Sequence, residues 1–451
     1  VSIAYTIADI IGMLGIPVDI SSGEKQVSGV STDSRTVQPG DLFFALSGEK
    51  FDGDRFVDAA FAAGAAAAVT HRPHATGTCL IHPNPLEALQ TLAARHRDRC
   101  HARVIAITGS CGKTTSKDMA AALLGARYPT VKTLGNLNND IGCPLSLLRV
   151  GPDTRFAIIE MGANHSGEIA ALCRIARPEE SAVTMVAPAH LEGFGSVERV
   201  AAAKSEILEA LPADGCFYVN TDDPLCVKMS ARHPGRKVLF GSQGDVRLQS
   251  LHFDNDGEMV LSICPIGRIR LPLAIRAHAT NVLLAVAIGL EHGIDEFEGP
   301  LREACKTASR FRVVRISPWT FLDDTYNANP ASMKAALEAL ADYPGNRKIA
   351  LLGSMFELGD AAAALHAEIG AAAASLGIDW LWAIGPHAGD MIAGARAEGI
   401  GDAEVFDTHE AMAAAVRARA AGDDVVLLKG SRGMKMETVL QLLQKSAASQ
   451  K

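Results

Sequence analysis

The sequence predicts an α/β protein of three units, and three features of its patterning carry that prediction. Between residues 84 and 312, apolar strand-like runs (VIAIT, FAIIEMG, SAVTMVAP, CFYVN) alternate with helical stretches, as βαβ units around a largely parallel sheet require. Residues 238–275 break that rhythm with the alternating, turn-rich VRLQSLHFDNDGEMVLSI, which predicts a small antiparallel patch. A second series (TFLDDTYN, KIALLGSM, DWLWAIG, DVVLLKGS), separated by Ala-rich helices, fills residues 313–451 and predicts a doubly wound, Rossmann-like unit. Residues 1–83 consist of short strands and turns, an Ala-rich helix and the segment AAAAVTHRP, a smaller α/β unit. The opening VSIAYTIADIIGMLGIPV has no basic leader and Asp9 interrupts it, so a short amphipathic helix is expected there rather than a signal peptide.

Bulk properties narrow the function classes. A chain of 451 residues exceeds one ordinary core. A formal charge of -8 disfavours a nucleic-acid polyanion as partner, since such partners are met by clustered Lys and Arg. No stretch is long and apolar enough to cross a membrane. The nine cysteines include no CxxC pair, which fits free thiols in a reducing cytoplasm better than a disulfide framework or a zinc site.

In open parallel sheets ligands gather beyond the carboxyl ends of the strands, so the polar residues after each strand are the candidates. After VIAI comes the loop Thr108, Gly109, Ser110, Cys111, Gly112, Lys113, Thr114 and Thr115. Its glycines allow close backbone approach, and the following helix aims its amides at an anion. Lys113 can reach the β- and γ-phosphates of a nucleotide, and Thr114 can offer a hydroxyl to Mg²⁺. The glycine that usual phosphate loops carry five residues ahead of Gly-Lys is here Ile107. Glu160, after FAII, is either a loop acid or a metal ligand; His190, after AVTMVAPA, is either structural or part of the same site. Lys204 in ERVAAAKSEILEAL reads locally as a solvated helix lysine. Asn136, Asn138 and Asn139 in TLGNLNNDIGCP are turn formers or a hydrogen-bonding loop for a polar ligand. In FLDDTYNANPASM, Asp324 suits ribose hydroxyls, while Asn329 with Ser332 also makes a good helix N-cap. Lys429, Ser431 and Arg432 follow another buried strand and suit a carboxylate or phosphate, or simply form a solvated loop.

The ordered set GSCGKTT, GNLNNDIGCP, EMGANHSGEI, AHLEGFGS, NTDDP, DDTYNANPASM, LGSMFELG and KGSR resembles the Mur ligases of peptidoglycan synthesis over essentially the whole chain. Members of that family read TGxxGKT, without the early glycine. The resemblance implies an N-terminal UDP-sugar-binding domain over residues 1–83, a central P-loop ATPase domain over 84–312 and a C-terminal Rossmann-like domain over 313–451 that closes over ATP. It implies Mg²⁺ held by Thr114, Glu160 and His190, and a carbamoylated Lys204 supporting a second Mg²⁺. It further implies an adenine contact at Asn281, a phosphate contact at Arg310, a ribose contact at Asp324 and a UDP contact at Ser34 and Arg35. The substrate-side residues are then Asn136, Asn138, Asn139, Asn327, Asn329, Lys429 and Ser431. The chain departs from the family where Ala277-His278 replaces a His-Asn pair, where Ser354 replaces Asp, and where Met185 replaces Asn.

GNLNNDIG, MGANHSGEI and AHLEGFGS are closest to the member that joins D-alanyl-D-alanine to a UDP-N-acetylmuramoyl-tripeptide through an acyl phosphate. The resemblance therefore implies an ATP-dependent peptide ligase; a monomer is expected, although the sequence itself leaves the oligomeric state open. The alternatives are the sibling that adds the third peptide residue, a folylpolyglutamate synthetase, or, in another class, a nucleotide-binding switch without ligation. The third peptide residue, diaminopimelate or lysine, is left open by the sequence.

Overall fold

In the computed structural model, residues 3–17, 23–48, 51–254, 257–307 and 311–448 are described. A run that is apolar at every position, such as Val104–Ile107, is satisfied only inside a sheet covered on both faces. That is where it lies. The strand Arg103–Thr108 sits third in a nine-stranded sheet, between Phe156–Glu160 and Glu180–Val183 and parallel to both. Thr130–Lys132 lies outside Phe156–Glu160, and Cys216–Asn220, Arg236–Gly241 and Val246–Phe253 continue the parallel series on the other side. Met259–Cys264 and Gly267–Leu271 then add antiparallel strands, so the expected antiparallel patch is an extension of the central sheet rather than a separate piece.

The period of two along the central strand separates two cores. Val104 and Ala106 join a cluster that includes Ile169, Val200 and Phe217. Ile105 and Ile107 join another with Met119, Leu123, Val282 and Val286 from the helices Lys113–Gly125 and His278–Glu291. The first of these cores also takes in Ile7, Ile10, Leu42, Phe44 and Val69, with Leu89 and Leu92 of the helix Pro85–Asp98 between. The N-terminal unit is thus packed onto the central sheet. Its own sheet has four parallel strands, from Gly29–Ser31 through Asp41–Phe44 and Ala67–Thr70 to Cys79–Ile81. The opening segment does form a helix, Ile7–Leu14. Asp9, the residue that interrupted the apolar run, completes a capping box with Thr6, and Gly15 ends the helix with φ 66°.

The C-terminal unit has a six-stranded sheet in the order Arg312–Ile316, Trp319–Asp324, Val425–Lys429, Lys348–Gly353, Trp380–Ile384, Asp402–Phe406. All pairings but the first are parallel, as the doubly wound prediction requires. Helix Pro330–Asp342 opens with Pro330 in its first turn and a capping box between Asn329 and Ser332. All nine cysteines are free thiols, and no described helix is long and apolar enough to cross a membrane.

One buried charge cluster lies at the amino end of the central sheet, away from the strand ends that carry function. Glu180 is 1 % exposed and accepts hydrogen bonds from Tyr218 Oη (2.6 Å), Arg103 Nη1 (2.9 Å) and His292 Nε2 (3.1 Å). Burial pushes its carboxyl up, but the bonds from His292, Tyr218 and Arg103 outweigh burial and hold it below the ordinary value of 4.5. Such a depressed carboxyl stabilises the fold above its unfolded pKa and loses that contribution as pH falls through the folded value. Glu180→Ala is therefore expected to lower unfolding stability by roughly 3 kcal/mol at neutral pH. In denaturant titrations the deficit should shrink as pH drops below the ordinary glutamate value. A deficit unchanged with pH would refute the charge-based account.

Candidate functional site

The strand order brings three loops together. Arg103–Thr108 releases the glycine loop, the neighbouring strand ends in Glu160, and the other neighbour leads through Thr184 to His190. In the loop, Gly109 and Gly112 have φ of 143° and 83°, backbone settings that side chains rarely adopt. A Cβ at Gly109 would collide with the Thr184 hydroxyl, and one at Gly112 with the Asn281 amide oxygen. The loop is gripped from outside: Thr184 Oγ1 donates to the Cys111 carbonyl, and Ser110 N donates to Met185 O at 2.9 Å. Ser110 Oγ donates to Ala187 O at 2.9 Å and accepts from Ala187 N at 3.0 Å. Thr108 Oγ1 anchors the start of the loop on Met161 O at 2.8 Å. Behind it, Ser116 Oγ donates to Asn281 Oδ1 at 3.1 Å. The anion cradle is held in shape by the fold, with Lys113 Nζ folded back onto Gly109 O at 2.6 Å.

A cavity of about 870 Å³ opens over this loop. It is lined by Ser110 to Thr115, the Asn136–Asn139 turn, Glu160, His190 and Asn281, and on its far side by Asp324, Asn327, Asn329, Lys429 and Ser431 of the C-terminal unit. Glu160 is 1 % exposed. Asn138 Nδ2 donates to its Oε1 at 2.7 Å, and Thr133 Oγ1 accepts from its backbone N–H at 3.0 Å. Its Oε2 has no hydrogen-bond partner. The nearest cation is Lys117 Nζ at 3.7 Å, which donates to Thr133 O and Gly135 O. A buried carboxylate oxygen left unpaired beside a phosphate loop is costly, and a hard divalent cation is the natural group to satisfy it. The donor set fits Mg²⁺ in that sense. No three His, Cys, Asp or Glu side chains converge into a metal cage among the described residues, so a cation here would draw further ligands from phosphate and water.

His190 has φ 52°, and its Nδ1 meets Glu357 Oε2, a carboxylate of the C-terminal unit. The local reading of Lys204 as a solvated lysine is wrong. It is 2 % exposed, because its face of the helix Val197–Glu209 packs inward, and its ammonium lies 5.7 Å from the Phe194 ring. Burial, and then the nearby Lys113 charge, push its amine down to about 7. No described acceptor lies within hydrogen-bond distance of it.

Two candidates of the C-terminal unit satisfy each other. Asp324 and Lys429 are register neighbours on adjacent strands, and Lys429 Nζ donates to Asp324 Oδ2 at 2.5 Å and to Asn327 O at 2.9 Å. Lys429 is thus a buried counter-ion rather than a solvated loop residue. Ser431 Oγ accepts from Phe356 N at 2.9 Å. Asn329 caps its helix and also touches the phosphate loop, its amide nitrogen lying 3.0 Å from Cys111 Sγ. Asn139 caps the turn into the helix Gly142–Leu147, accepting from Gly142 N at 2.9 Å.

Other candidates lie elsewhere. Ser34 and Arg35 sit apart from the large cavity, with Arg35 paired to Asp33 at 2.6 Å; a smaller cavity of about 190 Å³ beside them lies between the N-terminal and central units. Arg310 lies outside the described residues. Of the departures from the family pattern, Met185 acts through its backbone carbonyl. Ser354 is fully buried and accepts from His387 N at 3.0 Å, while Ala277 and His278 line the cavity at the start of the helix His278–Glu291. Sequence reasoning gave no role to Lys117, Thr184 or Glu357. Lys117 stands one turn beyond Lys113 on the same helix face, which was the available signal. The other two become visible only through contacts across units or strands.

Three family models match the chain: "Mur ligase family, catalytic domain" over residues 26–98, "Mur ligase middle domain" over 107–289, and "Mur ligase, glutamate ligase domain" over 309–432. The UDP-N-acetylmuramoyl-tripeptide–D-alanyl-D-alanine ligase of Escherichia coli is 38% identical over 95% of this chain and 97% of its own length. Among solved structures, MurF from Acinetobacter baumannii superposes with a TM-score of 0.88 at 30% identity, covering 98% of this chain and 99% of that one. MurF ligase from Thermotoga maritima, determined in complex with ADP, gives a TM-score of 0.84 at 28% identity over 94% and 98%. A glycine loop without the early glycine, a buried carboxylate on the adjacent strand and a C-terminal unit facing both agree with these matches, and the chain belongs to the Mur ligase family.

Proposed function

We propose that this chain is an ATP-dependent, ADP-forming ligase that joins D-alanyl-D-alanine to a UDP-N-acetylmuramoyl-tripeptide, giving the pentapeptide precursor of peptidoglycan. The observation that carries the reading is the cavity of about 870 Å³ in which a phosphate loop and a buried, half-unpaired carboxylate face the C-terminal unit. The near-full-length similarity to ligases of that name supplies the substrates. In this reading residues 1–83 hold the UDP-sugar, residues 84–312 run the ATP chemistry and residues 313–451 close over it. The free thiols suit a reducing cytoplasm.

A carboxylate is a poor electrophile because attack on it would have to expel oxide. Transfer of the γ-phosphoryl group to the tripeptide carboxylate gives an acyl phosphate and ADP. The free amine of D-alanyl-D-alanine then attacks the acyl carbon, and phosphate leaves with the former carboxylate oxygen. The chain's own task is to hold two anions together and exclude water. The loop amides and Lys113 would take the phosphates, Lys113 exchanging its bond to Gly109 O for a phosphate oxygen. Thr114, Glu160 and His190 would hold Mg²⁺, which supplies charge neutralisation for the transferring phosphoryl group. Asn281, Asp324 and Arg310 would serve the nucleoside and phosphate side, and Ser34 and Arg35 the UDP end. Asn136, Asn138, Asn139, Asn327, Asn329, Lys429 and Ser431 would border the peptide substrates, Lys429 acting through Asp324. A buried lysine whose amine is pushed down to about 7 is substantially neutral near that pH, the form that adds CO₂, and this supports carbamoylation of Lys204.

With the UDP-tripeptide and ATP supplied, phosphate release should depend on D-alanyl-D-alanine and not on free amino acids; stimulation by a free amino acid alone would reject the substrate assignment. Lys113→Ala should lower turnover by about 10³-fold or more, and full activity would refute the phosphate-loop role. Lys204→Ala should lose about 10²-fold or more and recover in part on addition of short carboxylic acids. Wild-type turnover without rescue would remove Lys204 from the site.

A further inference from the structure

The contact between His190 and Glu357 joins two parts of the chain that share no sheet. His190 follows a strand of the central sheet, whereas Glu357 follows the strand Lys348–Gly353 of the C-terminal one. Both residues have positive φ without being glycine, 52° for His190 and 63° for Glu357. Paired settings of this kind persist where surroundings over-determine them. The Glu357 segment is held from several sides. Met355 N donates to His366 Nε2 at 2.8 Å and Phe356 N to Ser431 Oγ at 2.9 Å, and Met355 and Leu358 are buried. The Glu357 carbonyl accepts from Glu192 N at 3.1 Å, a second bond across the same boundary.

The Glu357 side chain is 52% exposed and that of His190 is 31% exposed. An exposed ion pair contributes little to docking two units, so the use of this carboxylate lies in what it does to the ring. An imidazole has two nitrogens, and fixing Nδ1 on a carboxylate sets the tautomer and leaves Nε2 for a ligand. Metal-ligating histidines are commonly oriented in this way, by a carboxylate in the surrounding shell. Here that carboxylate arrives from a different unit.

We propose that Glu357 is a positioning residue for His190, so that docking of the C-terminal unit completes the metal site. The inference rests on the reading of His190 as a metal ligand. Site assembly and closure are then one event: with the C-terminal unit undocked, His190 has no partner fixing its ring and the cation is held more weakly. This ties cation retention to the arrangement in which the acyl phosphate would be shielded from water.

The test measures Mn²⁺ binding to the full chain in the presence of ADP, by electron paramagnetic resonance of the free ion, for wild type, Glu357→Gln, Glu357→Ala, His190→Ala and the double alanine variant. Expected is a loss of affinity of about 10-fold for Glu357→Ala and a smaller one for Glu357→Gln, whose amide oxygen still accepts from Nδ1–H. In the His190→Ala background, Glu357→Ala should add nothing. Unchanged melting temperatures are expected, since Glu357 is half exposed. If His190→Ala weakens Mn²⁺ binding and Glu357→Ala does not, the positioning role is overturned while the ligand assignment stands. The positioning role is equally overturned if the two effects simply add, because Glu357 would then act on docking alone. If His190→Ala itself leaves Mn²⁺ binding intact, both the ligand assignment and this inference fall.

Discussion

Everything in the site depends on where one strand lies. Arg103–Thr108 is flanked by Phe156–Glu160 on one side and Glu180–Val183 on the other, all parallel, with Glu160 paired to Ile107 and Val183 to Thr108. The chain runs to one side of this strand and later returns to the other, so the exits of three strands open at one crevice. Moving the strand Phe156–Glu160 by one residue would turn Glu160 away from the loop, because side chains alternate along a strand. A slip would also exchange Phe156 and Ile158, which face one core, with Ala157 and Ile159, which face the other, and neither close-packed interior accommodates that exchange of volumes. The site therefore inherits its accuracy from hydrophobic register, and the loop hydrogen bonds from Thr184, Ser110 and Thr108 refine it.

The treatment of buried charge differs between the two ends of the central sheet. At the amino end, Glu180 is fully bonded by Tyr218, Arg103 and His292, an arrangement that rigidifies and leaves nothing for a ligand. At the carboxyl end, Glu160 keeps one oxygen without a hydrogen bond and Lys204 is buried with no described acceptor. These groups are satisfied only in part by the protein itself. In the proposed function, that unmet demand is what a divalent cation beside Glu160 and a carbamate on Lys204 would meet. Lys117 moderates it, standing 3.7 Å from Glu160 while its ammonium also holds the carbonyls of the turn that carries Asn138.

The C-terminal unit contributes by contact as well as by lining. Asn329 reaches Cys111 in the phosphate loop, Glu357 reaches His190, and Arg276 pairs with Asp342 at 2.7 Å. These polar links are joined by one apolar contact, Ile275 of the central unit entering the C-terminal cluster with Leu322 and Met333, whereas the N-terminal and central units share one extended apolar core.

The order of strands and helices, the antiparallel break, the glycine loop and the capped helix starts were legible in the sequence, because period-two apolar runs and Gly, Pro and Asn signals are local. The family motifs added the acid, histidine and lysine that accompany the loop. What only the tertiary structure decided is how those residues satisfy one another. Lys204 looks solvated as a lone lysine, although the helical spacing of Val200, Ala203, Ile207 and Leu208 already puts it on the apolar face; only the fold shows that face closed over it. Asp324 and Lys429 look like two ligand groups but stand as register neighbours on adjacent strands, 105 residues apart in the chain, and neutralise each other. Glu357 lies inside the motif LGSMFELG, but nothing local names its partner, because His190 lies 167 residues away in another unit. Sequence patterning acts through neighbours along the chain, and so it determined the elements and their order. Desolvation and charge pairing act through neighbours in space, and so the state of each functional group was decided by the fold.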